Sequence, residues 1–217
     1  MPNTKSKIKS TVMEWVESIL IALVLAVFIR AYFIQPFKIP SGSMRMTLVE
    51  GDHLFVSKLR YGPILLPEIH SPDFLQDMVD IHWPEFLTPL SKIRLPGFGK
   101  PRHGDIIVFI FPEDRRKDFI KRLIGLPGDS IEIKDGKVYI NNEEFDDPRV
   151  KNIYYYNRGD YGAEGVSIQV PQGKYFVLGD NSGSSHDSRY WGFVDEKDLV
   201  GKAEVIFWPL TRLRIIQ

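Results

Sequence analysis

The longest apolar stretch of the chain lies near its N-terminus. Residues 18–29 carry no charge, and the stretch from Trp15 to Ile34 has the roughly 20 residues that a helix needs to cross a membrane. Trp15 and Tyr32 lie where aromatic side chains are expected at the two membrane surfaces. The pattern predicts a transmembrane anchor over residues 12–34.

A cleaved signal peptide and a buried helix of a soluble protein are the alternatives to an anchor. A cleavable signal peptide has a small-x-small site soon after its apolar run. The first such triplet here is the SGS of residues 41–43, well behind the run, so an uncleaved anchor is favoured. Lysines precede the run, and the positive-inside rule therefore predicts a cytoplasmic tail over residues 1–11. Residues 35–217 would then form a domain outside the cytoplasm.

The remainder of the chain has the short alternating patterns of β-strands. Ile131 and Ile133 alternate with polar residues, as do Val138 and Ile140, and the intervening Asp135-Gly136 predicts a hairpin. A further turn is predicted at residues 141–142, and another at residues 172–173 is expected to return strand 166–170 into strand 175–178. Further strands are predicted at residues 106–111 and 204–208. Beyond the anchor, only residues 72–78 indicate a short helical turn. The sequence predicts a mainly β protein, an antiparallel β-sheet ectodomain shaped as a sandwich or open barrel behind an N-terminal transmembrane helix.

A proline-rich insertion interrupts this pattern at about residues 61–101. It carries seven of the 15 prolines, mixed with tryptophan, phenylalanine and leucine residues. One interpretation is a surface loop with its own small apolar cluster. The other is a flap that contacts the membrane surface, where tryptophan and phenylalanine are favoured.

Composition excludes several classes of function. The chain has 28 basic and 28 acidic residues, whereas dedicated nucleic-acid binders usually carry a basic excess. It has no cysteine, which excludes disulfides, thiolate zinc sites and a cysteine nucleophile. The five histidines lack the H-x-x-x-H spacing of a zinc site. We therefore expect no metal, no cofactor and no nucleic-acid partner.

Ser43 is a candidate nucleophile, because it lies in a Ser-Gly-Ser turn behind a stiff, proline-containing lead-in. A serine hydroxyl needs a base. Lys121 is the candidate, since strand alternation places it on one face with Phe119 and Leu123. Burial lowers the pKa of a lysine, and a shift from about 10.4 to near 7.5 costs roughly 4 kcal/mol. Serine turns and strand lysines are common, so each feature alone is weak.

Residues 179–192 form a third candidate segment, rich in short polar side chains that fix loops. A Ser/His/Asp hydrolase would combine Ser43 with Asp187 and with His103 or His186. His186 and Asp187 are neighbours in sequence, however, and adjacent side chains on an extended strand point apart. This arrangement is therefore weaker than a Ser/Lys pair.

Together these segments resemble the bacterial type I signal peptidases, the membrane-anchored serine proteases of the Ser/Lys class. The resemblance covers the anchor and five ordered motifs: IPSGSMRMTL (39–48), GDHLFV (51–56), GDIIVF (104–109), DFIKRLIGLPGD (118–129) and GDNSGSSHDSRYWGFV (179–194). It implies an antiparallel β-ectodomain on one or two N-terminal spans. It also implies an enzyme that removes signal peptides from exported preproteins after small-x-small (Ala-x-Ala) sites.

Matched residue by residue, the resemblance implies that Ser43 is the nucleophile and Lys121 its general base. The N–H of Ser43 and the hydroxyl of Ser41 would form the oxyanion hole, and Ser185 would orient the lysine amine. Asp187 and Arg189 would form a supporting ion pair. The pockets for small substrate residues would be lined by Phe37, Ile39, Met44, Leu48, Phe119 and Ile120.

The chain departs from the family pattern in three places. Met46 stands where the family usually has proline, which predicts a looser turn after Ser43. Residues 182–184 replace a common Arg-Asp-Asn, which removes a charge pair near the site. The insertion at 61–101 is longer than usual. None of these departures removes a catalytic group.

The single apolar run and the positive-inside rule predict a single-pass protein of the cytoplasmic (inner) membrane, with its N-terminus inside and its catalytic domain on the outer, periplasmic face. Its partners would be signal-peptide-bearing preproteins and the lipid bilayer, with transient proximity to the secretion translocon. Two other classes stay open. A self-cleaving repressor-type Ser/Lys protein would carry a DNA-binding domain, and an inactive membrane-tethered β-module would not need Ser43 and Lys121.

Overall fold

The computed structural model describes residues 4–66 and 93–216 together with Leu87 and Leu90, and side chains from residue 12 onward. Helix α1 covers Thr4–Tyr32. Within it, the apolar segment Val12–Tyr32 has 21 residues, and its most apolar window has a mean hydropathy of 2.3 and no buried residue. The helix ends two residues before the predicted end of the anchor, because Ile34 already pairs with the next strand and Pro36 disfavours a helix.

Two antiparallel sheets follow the helix. The strands are β1 Ile34–Lys38, β2 His53–Ser57, β3 Ile106–Ile110, β4 Asp118–Gly125, β5 Ser130–Lys134, β6 Lys137–Ile140, β7 Glu143–Glu144, β8 Ser167–Gln169, β9 Lys174–Leu178, β10 Val194–Asp195, β11 Leu199–Trp208 and β12 Arg214–Ile215. The large sheet has the order β1-β2-β11-β3-β4-β9-β10, with β12 on β11, and curls into a half-barrel. The smaller sheet has the order β7-β6-β5-β8. The predicted mainly antiparallel β fold behind an N-terminal helix is confirmed.

The predicted hairpin is formed by β5 and β6. Asp135 and Gly136 both adopt left-handed backbone conformations, with φ of 52° and 75°, as a tight two-residue hairpin turn requires. Asn141 and Asn142 do the same, with φ of 53° and 70°, and lead into β7. Local turn chemistry therefore accounts for most of the smaller sheet.

Two expectations need correction, and a third concerns residues outside the described part of the chain. The turn at residues 172–173 does not join a paired hairpin, because β8 pairs with β5 while β9 pairs with β4 and β10. A short helix α2, Ser188–Trp191, was not predicted, since four residues are too few for a helical pattern. The predicted helical turn at 72–78 lies outside the described residues.

Most of the proline-rich insertion also lies outside the described residues, but its base is well defined. Ile64 and Arg94 form a β-bridge there. The guanidinium of Arg94 donates to the carbonyls of Gly62 and Leu199, at 2.6 and 2.5 Å. The hydroxyl of Tyr32 donates to the carbonyl of Leu65 at 3.0 Å, so the base also contacts the end of α1.

Strand β4 contributes to three hydrophobic clusters. Ile120 packs into the cluster beneath β1 and β2, and Ile124 packs into the cluster against the smaller sheet. Leu123 and Phe119 belong to a third cluster on the other side. The predicted alternation of β4 is confirmed, and the strand carries both polar and apolar positions into the interior.

Gly159 is a position where the fold leaves no room for a side chain. Its φ is +64°, and a Cβ would lie 2.1 Å from the carbonyl oxygen of Arg189. Gly165 has a similar φ of +71° with no atom within 4 Å, so it serves as the matched control. We expect Gly165→Ala to lower the free energy of unfolding by about 1 kcal/mol. Gly159→Ala should cost an additional ~1–3 kcal/mol from overpacking.

Urea unfolding of the full chain in detergent measures both variants. Equal losses of unfolding free energy in the two variants would show that the segment around Gly159 moves away from Arg189 without a cost in stability.

Candidate active site

Ser43 lies in a 3-10 turn, Gly42–Met44, between β1 and β2. Its side chain is largely buried, with 8% exposure. The N–H of Arg45 donates to the carbonyl of Gly42 at 3.1 Å, and the N–H of Leu48 to that of Met44 at 2.7 Å. Exposed Met46 lies between these bonds. Hydrogen bonds therefore close the turn on both sides of Met46, and the looser turn expected from the missing proline stays a prediction.

Lys121 reaches this turn from β4. Its Nζ lies 2.7 Å from Ser43 Oγ and donates to the carbonyl of Ile120 at 3.1 Å. The amine also lies 5.2 Å from the centre of the Phe119 ring. Lys121 is only 3% exposed. The structure therefore brings a buried amine and a buried serine hydroxyl into direct contact.

Burial lowers the pKa of Lys121 to about 8, because desolvation disfavours the charged amine. The negative charges of Asp187 and Asp180 act in the opposite direction and raise it. Each carboxylate is bound by an arginine, which offsets its field at the amine. Desolvation is the largest of these effects, and with a pKa of about 8 roughly a tenth of the amine is neutral at pH 7.

The two ion pairs are completely enclosed. Arg189 holds Asp187 through two hydrogen bonds of 2.8 and 2.9 Å. Arg122 holds Asp180 through two bonds of 2.8 and 2.6 Å. Arg189 also donates to the hydroxyl of Ser182 at 2.8 Å, so this serine is integrated into the loop. The predicted pair Asp187–Arg189 is present, and a second pair of the same geometry accompanies it.

Two predicted serines differ in their surroundings. Ser41 is exposed and extended, and its side chain makes no capping bond to the 3-10 turn. Ser185 is buried, but its hydroxyl has no hydrogen-bond partner among the described residues. It lies against Gly179, whose Cβ would be 2.1 Å from Ser185 Oγ. The structure thus places Ser185 beside the site without a bond to Lys121.

Five of the six predicted pocket residues converge in one cluster. This cluster holds Phe37, Ile39, Met44, Leu48 and Ile120. Phe119 lies instead in the third cluster, where its ring stacks on Phe111 at 4.1 Å. The separation follows from strand alternation, since Phe119 and Ile120 are neighbours on β4.

The histidines considered for a Ser/His/Asp arrangement have other partners. His103 Nε2 lies 2.7 Å from Asp129, and His186 Nε2 lies 3.4 Å from Glu113. Within the described parts of the chain, the side-chain hydrogen bond to Ser43 Oγ comes from Lys121. No group of three metal-ligating side chains was found among these residues.

Sequence reasoning missed several residues that hold the turn. Thr47 donates to Asp180 at 2.5 Å, and Arg122 reaches both. Asn181 donates to the carbonyls of Gly42 and Ser43. All belong to the quoted motifs, so the signal was present, but local patterns do not indicate which motifs meet in space.

Comparison with known proteins gives a consistent result. Residues 12–208 match the family model described as signal peptidase, peptidase S26. Signal peptidase I of Bacillus licheniformis is 33% identical over 215 residues, covering 95% of this chain and 94% of that protein. Probable signal peptidase I-2 of Synechocystis is 33% identical, covering 96% and 78%.

More distant relatives include signal peptidase IB of Staphylococcus aureus, which is 28% identical over 95% of this chain and 94% of that protein. Among solved structures, a signal peptidase I from Enterococcus faecalis V583 is 36% identical. That match covers 48% of this chain and 96% of the other, with a TM-score of 0.40.

The enclosed pair Arg122–Asp180 predicts a large effect on stability. In Arg122→Met the Asp180 carboxylate stays buried without its cation, and breaking a buried pair costs about 3–5 kcal/mol. Arg45 and Glu50 form a matched surface pair with side-chain exposures of 60% and 47%. Arg45→Met should therefore cost less than ~1 kcal/mol. Denaturant unfolding of both variants checks this, and similar losses would contradict the contrast between the buried and the exposed pair.

Proposed function

Because the chain belongs to the signal peptidase family, peptidase S26, it is a serine peptidase that removes signal peptides; we propose that it cleaves exported preproteins after small-x-small (Ala-x-Ala) sites with Ser43 as nucleophile and neutral Lys121 as general base. The separation of 2.7 Å between Lys121 Nζ and Ser43 Oγ carries this proposal. A general base must lie within hydrogen-bond reach of the proton that it removes.

Acyl transfer then proceeds in two halves. Neutral Lys121 accepts the Ser43 hydroxyl proton while Oγ attacks the carbonyl carbon of the residue before the scissile bond. The Ser43 N–H and the Ser41 hydroxyl stabilise the oxyanion. The C–N bond breaks as the lysinium protonates the leaving amine of the mature chain. Water, deprotonated by Lys121, next hydrolyses the ester, releases the signal peptide with a free carboxylate and restores Ser43.

The substrate would bind as an added strand beside the start of β4. The carbonyl of Ile120 accepts a hydrogen bond from the Lys121 amine, so it faces the site. An extended peptide gains affinity from such main-chain groups at a strand edge, and side-chain pockets supply specificity. The cluster around Ile39, Met44 and Ile120 is apolar and almost completely buried, so any pocket at its edge would be shallow and suit small substrate residues.

Membrane anchoring is supported by exposed apolar surface. Helix α1 is largely apolar, and its residues from Val12 to Ile29 are exposed. A row of facing residues, Pro36, Phe55, Val205 and Ile215, crosses β1, β2, β11 and β12. Ile215 is 73% exposed, and Trp208, Leu210 and Leu213 nearby in sequence are 53–68% exposed. Large exposed apolar surfaces mark contact with membranes or with other proteins, and the apolar helix before β1 favours the membrane here.

Charge supports an orientation with residues 1–11 on the cytoplasmic side of the membrane and the sheets on its outer side. The signal helix of a preprotein lies in the same bilayer. Anchoring would therefore raise the effective concentration of the cleavage site near Ser43, beside the translocon that delivers it.

Orientation can be tested with single cysteines, because the chain has none of its own. Ser6 lies in the predicted tail, and Glu164 is an exposed residue of the β-domain. The two variants are Ser6→Cys and Glu164→Cys. In intact cells stripped of any outer membrane, a membrane-impermeant maleimide should label Glu164→Cys. Ser6→Cys should react only after permeabilisation. The reverse pattern would contradict the orientation, and equal labelling would contradict the membrane span.

The dyad is tested by cleavage of a preprotein with an Ala-x-Ala site. We expect Ser43→Ala and Lys121→Met to lower the rate at least ~10³-fold, in line with loss of a nucleophile or its base. The wild-type rate should rise with pH through about 8, as Lys121 loses its proton.

Lys58 is the matched control, since burial and then Arg30 lower its pKa to about 8 as well. Lys58→Met should keep near wild-type activity. Survival of Lys121→Met with loss in His186→Ala would favour the histidine mechanism. No cleavage by the wild type would favour an inactive homologue.

A further inference from the structure

Asn181 binds two consecutive carbonyl groups of the serine turn. Its side-chain Nδ2 donates to the carbonyl of Gly42 at 2.8 Å, and its backbone N–H donates to the carbonyl of Ser43 at 2.9 Å. The preceding residue, Asp180, is fixed by the two bonds from Arg122. Asn181 is therefore a short rigid link between that buried ion pair and the turn that carries Ser43.

The first of these bonds determines where the N–H of Ser43 points. The carbonyl of Gly42 and the N–H of Ser43 belong to one planar trans peptide unit, so they point in opposite directions. Holding the oxygen therefore holds the N–H. From the proposed mechanism, that N–H is one of the two donors to the oxyanion.

We propose that Asn181 is a positioning residue that fixes the Gly42–Ser43 peptide plane and thereby aims the Ser43 N–H at the oxyanion. This inference rests on the proposed function. It assigns no contact between Asn181 and the substrate.

The peptide needs such a hold because Gly42 offers little resistance to rotation. Glycine has no Cβ and accepts a wide range of backbone angles, so a flip of the Gly42–Ser43 peptide costs little on the Gly42 side. A flipped peptide would present a carbonyl where the negative oxyanion develops. Within the described residues, the Gly42 carbonyl is held by Asn181 Nδ2 and by the N–H of Arg45 at 3.1 Å.

The amide group itself matters for this role. An aspartate at position 181 would have almost the same shape, but its carboxylate only accepts hydrogen bonds. It would repel the Gly42 carbonyl and favour the flipped peptide. It would also add negative charge near the place where the oxyanion forms. Asn181→Asp should therefore impair the reaction more than Asn181→Ala, although it conserves volume better.

Asn157 provides a matched control. Its Nδ2 also donates to two backbone carbonyls, those of Ile133 at 2.7 Å and Gly162 at 3.1 Å, and neither belongs to the serine turn. Asn157→Ala removes the same type of bonds from the fold without touching the Gly42–Ser43 peptide.

The experiment measures kcat and KM for the Ala-x-Ala preprotein, together with the thermal midpoint of each variant. For Asn181→Ala we expect kcat to fall about 10²-fold, the usual effect of losing one oxyanion donor. KM should stay within threefold, and the pH midpoint of the rate should not move, because Lys121 is untouched. Asn181→Asp should lose more kcat than Asn181→Ala. Asn157→Ala should keep kcat within threefold, with a similar change in thermal midpoint.

Three results would overturn the proposal. A kcat of Asn181→Ala within threefold of the wild type would show that the peptide needs no such hold. A rise in KM alone would mean that Asn181 serves substrate binding. An equal loss in Asn157→Ala would mean that general destabilisation is the cause. If the wild type itself fails to cleave, the proposed function falls, and this inference falls with it.

Discussion

The burial of one lysine amine against a serine hydroxyl is the constraint on which the rest of the site depends. A buried amine loses its proton readily only if no free carboxylate compensates its charge. Asp187 and Asp180 both act on Lys121, and both raise its pKa. The arginines that bind these carboxylates weaken their effect. Buried ion pairs contribute little to stability against an apolar alternative, so we infer that their value here is electrostatic.

The topology of the large sheet supplies the geometry for this contact. Lys121 lies on β4, whose residues Asp118–Arg122 pair with β3. Strand β9 pairs with the second half of β4, from Arg122 to Gly125. The loop after β9 therefore arrives beside the first half of β4, where it meets the turn of Ser43. Two residues of that loop bind the turn of Ser43: Asp180 accepts a hydrogen bond from Thr47, and the N–H of Asn181 donates to the carbonyl of Ser43.

Much of this arrangement was predictable from the sequence, and the reasons for the remainder are physical. The apolar helix, the Asp135-Gly136 hairpin and the alternation of β4 are local, so neighbouring residues determine them. The resemblance of the motifs predicted that Ser43 and Lys121 act together. The pair Arg122–Asp180 and the bonds of Asn181 join residues far apart in sequence, and they depend on the pairing of β9 with β4. The partner of β8 was missed for the same reason, since turn residues do not indicate which strands pair.

Direct titration of the Lys121 amine tests the central claim most directly. Heteronuclear NMR of the full chain, with lysine labelled at Nζ, would follow each amine across the pH range. Lys121→Met and Lys58→Met would assign the two resonances that titrate below the ordinary range. We predict a pKa of about 8 for Lys121. A value near the ordinary 10.5 would contradict a neutral amine as the base of Ser43.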